Sequence, residues 1–296
     1  MSLVINHNLM AMSAARNLTS AYNNLSTSVN RLSSGLRITT AADDAAGLAI
    51  RELMRADIAT LNQGVRNAND AISMIQTADG ALQVIDEKLI RMKELAEQAA
   101  TGTYTSDQRL IIDSEYQAMA SEITRIANAT DFNGIYLLNG NLSSDTHSGA
   151  GLTSTGKLKV HFGTANDSAE DYYYIRIGNS TASALGVGIS AGSGAGASIS
   201  TQQLAQQALA ALNTAITSKD KIRANLGALQ NRLENTITNL TVQAENLQAA
   251  ESRISDVDVA TEMTNFVRNQ ILTQSAVAML SQANTLPQMA LQLMQG

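Results

Sequence analysis

Apolar side chains recur every seven residues along most of this chain, and that spacing limits its fold more than any other feature. Leu18, Leu25 and Leu32 form one row, with Tyr22, Val29 and Leu36 at interleaved positions. Leu61, Ala68, Ile75, Leu82, Leu89 and Ala96 form a longer row, flanked in its first half by Ile58, Val65 and Ile72. Ile112, Tyr116, Met119, Ile123 and Ile126 alternate four- and three-residue steps. In the last third, Leu226, Leu233, Leu240, Leu247 and Ile254 repeat strictly, and Leu272, Met279, Leu286 and Leu293 follow, with Ala276, Ala283 and Ala290 between them. A lone globular helix needs no seven-residue register for so long. Rows of this kind mark helices lying along other helices with left-handed supercoiling. The predicted fold class is mainly α, a long antiparallel helical coiled-coil bundle built from both chain ends, with a small β-hairpin region.

Composition agrees with that reading. The chain of 296 residues is 44% hydrophobic but only 3% aromatic, with no Trp, so its core must be built from Ala, Leu, Ile, Val and Met. Such side chains suit close-packed helices better than the aromatic layers of a sandwich or barrel. Pro287 is the one proline, so helices run far without an obligatory break.

The centre is different. Phe132-Asn-Gly134 and Asn139-Gly140 supply positive-φ turn residues. Segment 157–163 alternates Leu158, Val160 and Phe162, and segment 172–178 alternates Tyr173, Ile175 and Ile177; together they predict a strand pair joined by polar residues 164–171. Segments 141–156 and 179–200, rich in Gly, Ser, Thr and Ala, are expected to be loops or surface excursions. Thr105 and Gln108 have capping-box spacing for the helix that follows.

The ends carry a charge gap. The first charged side chain is Arg16, and no Asp, Glu, Lys or Arg occurs from 269 to 296. Both ends are nevertheless amphipathic, with Gln, Asn, Ser and Thr opposite Leu, Ile, Met and Ala. A solvated surface helix normally carries charge on its outer face. A face of amides and hydroxyls suits close contact with similar helices, or a narrow wet lumen. Either way the ends are expected to find partners in other chains. Alone they would struggle to offset roughly 1–2 kcal/mol of backbone entropy per residue, so they are expected to fold on assembly.

Several function classes are set aside. A net charge of −6 disfavours nucleic acid as the main partner. Cysteine is absent, which removes disulfides and thiolate chemistry. No apolar run is long enough to span a membrane, and the first residues lack the pattern of a cleavable secretory signal, so export would need another route. His7, His147 and His161 show no metal-ligand spacing, and Gly186-Val-Gly188 and Gly192-Ser-Gly-Ala-Gly196 lack the frame of a phosphate loop. Neither catalytic, cofactor-binding nor metal residues are expected. Asp43 and Asp44 read as acidic residues at the start of the next helix, favoured by its dipole. Ser and Thr in 143–155 and 179–201 are candidate O-glycosylation positions.

The blocks at the two ends resemble bacterial flagellins. Residues 5–18 resemble the family's start; Leu32-Ser-Ser-Gly-Leu-Arg-Ile38 with Ala41-Ala-Asp-Asp-Ala-Ala-Gly-Leu-Ala-Ile50 is similar to its most recognisable segment; and Phe132-Asn-Gly134 matches a third block. Leu226-Gly-Ala-Leu-Gln-Asn-Arg-Leu-Glu234, Glu245-Asn-Leu-Gln-Ala-Ala-Glu-Ser-Arg-Ile254 and Ser281-Gln-Ala-Asn-Thr-Leu-Pro-Gln288 match on the other side. The resemblance implies a structural, non-enzymatic subunit that self-assembles into a hollow helical filament outside the cell. It implies an inner coiled-coil domain of 1–44 plus 254–296, whose contacts include Leu9, Leu18, Leu25, Leu32, Leu272, Met279, Leu286 and Leu293. It implies an outer helical rod of 45–253, with hairpin and loops at about 132–200 and core heptads at Leu61, Ile75, Leu82, Leu89, Leu226, Leu233, Leu240 and Leu247. Partners implied are copies of itself, an export chaperone, the export apparatus, and hook-associated and cap proteins. Segment 89–98 resembles the stretch by which many flagellins bind the flagellin-sensing toll-like receptor: Arg91 and Leu95 match, Glu115 lies where a further contact is expected, and Ile90 stands where Gln is usual. The alternatives are a hook–filament junction protein of similar architecture, and a coiled-coil secreted effector or adhesin.

Overall fold

In the computed structural model, residues 8–147, 156–167, 170–189, 192 and 194–295 are described, apart from the side chains of 286–288 and 290–295. Among these the order of elements is α1 (Leu9–Ser34), α2 (Ala45–Ala100), α3 (Ser106–Ala129), β1 (Asp131–Phe132), β2 (Ile135–Tyr136), β3 (Leu158–His161), β4 (Tyr172–Ile175), α4 (Ala182–Leu185), α5 (Gln202–Ser255) and α6 (Val259–Gln295). The strands form two separate antiparallel pairs, β1 with β2 and β3 with β4. The chain is thus mainly α with two small hairpins. It divides into two compact units, one of 1–58 with 245–296 and one of 59–244.

Within 59–244 the expected heptad row of α2 is the core. Leu61, Ala68, Ile75, Leu82, Leu89 and Ala96 are all buried, as are Ala71, Met74, Ala78, Ile85, Met92, Leu95 and Ala99 between them. From α5, Ala205, Ala208, Leu212, Ala215, Leu226, Leu233 and Leu240 are buried, and from α3 Tyr116, Ala120, Ile123 and Ala127. Alanine at so many of these positions lets helix backbones approach closely, as ridges-into-grooves packing needs. The α3 helix opens on the expected capping box: the Thr105 hydroxyl accepts from Gln108 N, and the Gln108 side chain accepts from Thr105 N.

Charged side chains cross between α2 and α5 inside this unit. Lys219 is 1% exposed, and its Nζ donates to Asp86 at 2.6 Å and to Asp220 at 2.7 Å. One helical turn along, the Arg223 guanidinium grips both carboxylate oxygens of Asp79, at 2.7 and 3.1 Å. The residue earlier in α2 pairs with the residue later in α5, as antiparallel helices require.

The strand pair falls where the alternation predicts. Leu158 faces Ile175 and Val160 faces Tyr173, while Val160, Phe162, Ile175 and Ile177 are buried. The hairpin is fixed to α2 where Asn67 Nδ2 donates to the His161 carbonyl at 2.8 Å. Gly64 makes that approach possible: a Cβ there would lie 2.8 Å from the Phe162 carbonyl carbon and closer still to its oxygen. In the smaller hairpin, Asn133 (φ 52°) and Gly134 (φ 78°) form the positive-φ turn between β1 and β2.

The described residues of segment 179–200 are mostly loop, as expected, but packed rather than a loose surface excursion. Ala182, Leu185, Val187 and Ile199 are buried. The α3 helix holds the backbone down through polar side chains: Asp113 accepts from Ile199 N at 2.7 Å, Gln117 accepts from Ile189 N at 2.9 Å, and the Tyr116 hydroxyl donates to Gly196 O at 2.8 Å. Burial, and then the Asp113 charge, push the Tyr116 hydroxyl pKa well above its ordinary value. Small residues there let the segment lie flat against α3, which composition alone reads as looseness.

Candidate assembly surface

In the unit formed by 1–58 and 245–296, α1 packs along α6. Asn8 caps α1 by accepting from Ala11 N at 3.0 Å, and its Nδ2 donates to the Ala283 carbonyl of α6 at 2.8 Å. The face of α1 turned inward is Leu18, Ala21, Leu25, Ser28 and Leu32; Ala21 and Ser28 are buried and the three leucines half-buried. Tyr22 and Val29, one position further round, are exposed. Ala21 and Ser28 between the seam leucines bring the helices together and leave Tyr22 and Val29 outside.

The 35–44 connection is tied to the α5–α6 junction by backbone pairing. Leu36 bridges Asp256, Arg37 N donates to Ser255 O at 2.6 Å, and Val257 N donates to Gly35 O at 3.0 Å. Ile38 is buried beneath it. Arg51 bonds Glu251 at 3.4 Å and the Ile38 carbonyl at 3.4 Å. Asp44 caps α2 as expected, accepting from Gly47 N at 2.9 Å. Asp43 does something else. Its Oδ2 accepts from the backbone and hydroxyls of Thr39 and Thr40, between 3.0 and 3.2 Å. These bonds, the Thr40 backbone N–H first, hold its carboxyl at about 2. Asp258 caps α6 in the same manner, and bonding from the Thr261 hydroxyl lowers its pKa.

The outer surface of this unit is unusual. Of the 22 large apolar side chains exposed among the described residues, 15 lie in 1–58 and 245–296. They include Leu9, Met10, Met12, Tyr22, Val29, Leu53, Met263, Ile271, Leu272, Val277 and Met279, several more than half exposed. Leu9, Met10, Leu272 and Met279 edge a groove of about 710 Å3 between α1 and α6, with Ser13, Asn17, Ser20, Asn24 and Ser275 as its polar lining. A concentration of exposed apolar side chains of this kind marks a surface suited to being covered by another molecule.

The residues singled out from sequence fall into three groups. Leu9, Leu272 and Met279 are exposed on the terminal helices, and Leu18, Leu25 and Leu32 sit in the α1 seam. The side chains of Leu286 and Leu293 lie outside the described residues. Leu61, Ile75, Leu82, Leu89, Leu226, Leu233 and Leu240 are buried within 59–244, and Leu247 is half-buried. On α2, Arg91 reaches Glu94 at 3.0 Å and Glu115 of α3 at 2.9 Å, and these carboxylates, Glu94 first, raise its pKa. Leu95 is buried beneath them. The Lys219 and Arg223 pairs escaped sequence reasoning; the available signal was Asp79 and Asp86, two carboxylates seven residues apart flanking the α2 heptad row.

Among the described residues, no group of three or more His, Cys, Asp or Glu is placed to hold a metal ion, and no helix is long and apolar enough to cross a membrane. The arrangement offers extended contact surface.

Known proteins resemble the chain along nearly its whole length. Residues 5–143 match the family model described as the bacterial flagellin N-terminal helical region, and residues 199–294 match that of the bacterial flagellin C-terminal helical region. The flagellar filament 33 kDa core protein of Treponema phagedenis is 43% identical over 292 residues, covering 99% of this chain and 100% of that protein. The flagellin of Bacillus subtilis strain 168 is 41% identical over 304 residues, covering 98% of this chain and 99% of that one. Among solved structures, a chain from Vibrio parahaemolyticus described as a flagellar hook-associated protein aligns with a TM-score of 0.55 at 14% identity, covering 72% of this chain and 100% of that chain. At that identity the likeness concerns the fold alone.

Proposed function

The chain belongs to the bacterial flagellin family and is a structural subunit of the flagellar filament, not an enzyme; from that premise we propose that α1 and α6 form the inner layer of the tube and make its principal inter-subunit contacts. The inner domain in this reading is 1–44 with 254–296, and 45–253 is the outer rod. The observation that supports it is the concentration of exposed apolar side chains on α1 and α6, together with the absence of Asp, Glu, Lys and Arg from the last 28 positions of the chain, 269–296. A head-to-tail contact whose rotation does not close generates an open helical polymer. Many shallow contacts, each burying apolar area at roughly 25 cal/mol per Å2, then hold the tube without cross-links.

The Gln, Asn, Ser and Thr face of 269–296 lines the central channel in this proposal, offering a passing unfolded chain few fixed charges. Subunits leave the cell through the flagellar export apparatus without a cleaved signal, carried by an export chaperone, and join the filament between hook-associated and cap proteins. The flagellin-sensing toll-like receptor reads Arg91 and Glu115 on the rod, with Leu95 supporting that face from below.

The test is polymerisation. Full-length protein and a version lacking 269–296 are salted out with ammonium sulfate and viewed by negative-stain microscopy. Filaments from the full-length chain alone are the expected result. Filaments from both would remove the C-terminal helix from the contact.

A further inference from the structure

The exposed methionines are not scattered. Met10, Met12, Met263, Met279 and Met289 are 46–63% exposed, and all five lie on α1 or α6. In 59–244 the methionines are protected: Met74 and Met92 are buried, and Met119 is half-buried. Met10 and Met279 both line the α1–α6 groove. The chain has neither Cys nor Trp. These thioethers are therefore its most readily oxidised accessible side chains. Methionine suits an assembly face because it is unbranched and polarisable, and so adapts to neighbours of irregular shape. The same sulfur makes that face chemically switchable.

We propose that Met10, Met12, Met263, Met279 and Met289 are a peroxide-sensitive modification site, and that their sulfoxidation keeps a free subunit out of the filament. The proposal rests on assembly through α1 and α6. In the reaction a thioether sulfur attacks one oxygen of a hydroperoxide and the O–O bond breaks. The departing oxygen takes up a proton as water or an alcohol. Sulfur is oxidised by two electrons and the peroxide reduced by two. An apolar side chain becomes a polar, chiral sulfoxide whose oxygen demands hydrogen bonds that an apolar seam cannot supply. Subunits already assembled have these sulfurs covered and react slowly. Methionine sulfoxide reductases acting on both epimers restore the unassembled subunit.

The experiment treats full-length free subunit with hydrogen peroxide and maps sulfoxides by peptide mass spectrometry. It then measures, by sedimentation, the subunit concentration left unpolymerised after salting-out. Sulfoxide at the five positions, with Met74 and Met92 spared, is expected to raise that concentration at least about tenfold. Reductase treatment reverses the rise, and a variant with leucine at all five positions polymerises with or without peroxide. Complete sulfoxidation with unchanged polymerisation overturns the proposal, as does a loss that reductases do not reverse. Should untreated protein fail to polymerise, or polymerise without 269–296, the assembly reading falls first and this inference with it.

Discussion

Gly64 and Gly80 lie in the same helix, sixteen residues apart, and alanine should move stability in opposite directions at the two sites. Alanine gains roughly 0.5–1 kcal/mol over glycine in a helix interior. At Gly80 nothing lies within 4 Å of the added methyl, so Gly80→Ala should stabilise by about that amount. At Gly64 the methyl meets the Phe162 backbone, at 2.8 Å from its carbonyl carbon and 2.9 Å from its Cα. Ordinary contact begins near 3.4 Å, and backbone cannot rotate away as a side-chain tip can. The β3–β4 hairpin must therefore retreat by more than half an ångström. That stretches the 2.8 Å bond from Asn67 to the His161 carbonyl, worth about 1 kcal/mol. It also loosens buried Phe162, and overpacking of this kind costs about 1–3 kcal/mol. Set against the propensity gain, Gly64→Ala should destabilise by about 1–3 kcal/mol. Urea unfolding of both variants, followed by far-UV circular dichroism at matched m-values, reads the difference. Equal stabilisation by the two substitutions would refute the reasoning, because the hairpin would then not bear on α2 at Gly64.

The ion pairs of α2 and α5 should respond asymmetrically. Asp86→Asn weakens the best partner of a cation that is 1% exposed and should cost about 1–3 kcal/mol, whereas Lys219→Met removes the buried charge itself and should be near neutral or stabilising; urea midpoints decide, and the opposite ranking would show that the pair contributes more than its desolvation costs. Asp43 sets an acid limit on the 35–44 connection. Its carboxyl is lowered from 3.8 to about 2, so the stability it adds is fully present above about pH 4 and is lost as pH falls through about 2. Titration of its side-chain carbonyl by NMR should place its midpoint near 2, and Asp43→Asn should flatten the acid limb of the unfolding curve.

Much of this was legible in the sequence because helix packing writes itself as a period. The α2 row from Leu61 to Ala96 and the α5 row from Leu226 to Leu240 are buried where the seven-residue spacing put them. The hairpin followed from two-residue alternation and the turn from Asn133-Gly134. What stayed illegible depends on contacts distant in sequence. Nothing near Gly64 says that Phe162 lies against it, 98 positions later. Lys219 sits among polar neighbours, Ser218 and Asp220, and reads as surface until α2 is placed beside it. Segment 179–200 reads as loose because small residues look alike whether mobile or closely packed; the deciding groups, Asp113, Tyr116 and Gln117, lie on another element. On α1, the Leu18, Leu25 and Leu32 row fell in the seam, but the interleaved positions did not. Ala21 and Ser28, rather than Tyr22 and Val29, face α6, because close approach favours the smaller side chains.

The two units solve different problems with the same helices. In 59–244 several charges are spent internally: Lys219 with Asp86, Arg223 with Asp79, and Asp113 accepting from the Ser198 hydroxyl and the Ile199 backbone N–H. Each such pair has one good geometry, so the pairs select a single register of α2 against α5. Along 269–296 the logic reverses. A fixed charge carried into an interface costs several kcal/mol unless a partner meets it precisely in place, and in a helical polymer that cost recurs at every copy. Amides and hydroxyls cost less to desolvate and accept more than one neighbour geometry. Methionine and leucine add contact area without demanding direction. In the proposed assembly, the uncharged stretch 269–296 therefore tolerates small shifts between neighbouring copies. A filament that must bend without breaking needs that tolerance in its contacts and rigidity within its subunits; assembly through α1 and α6, as proposed, combines the two.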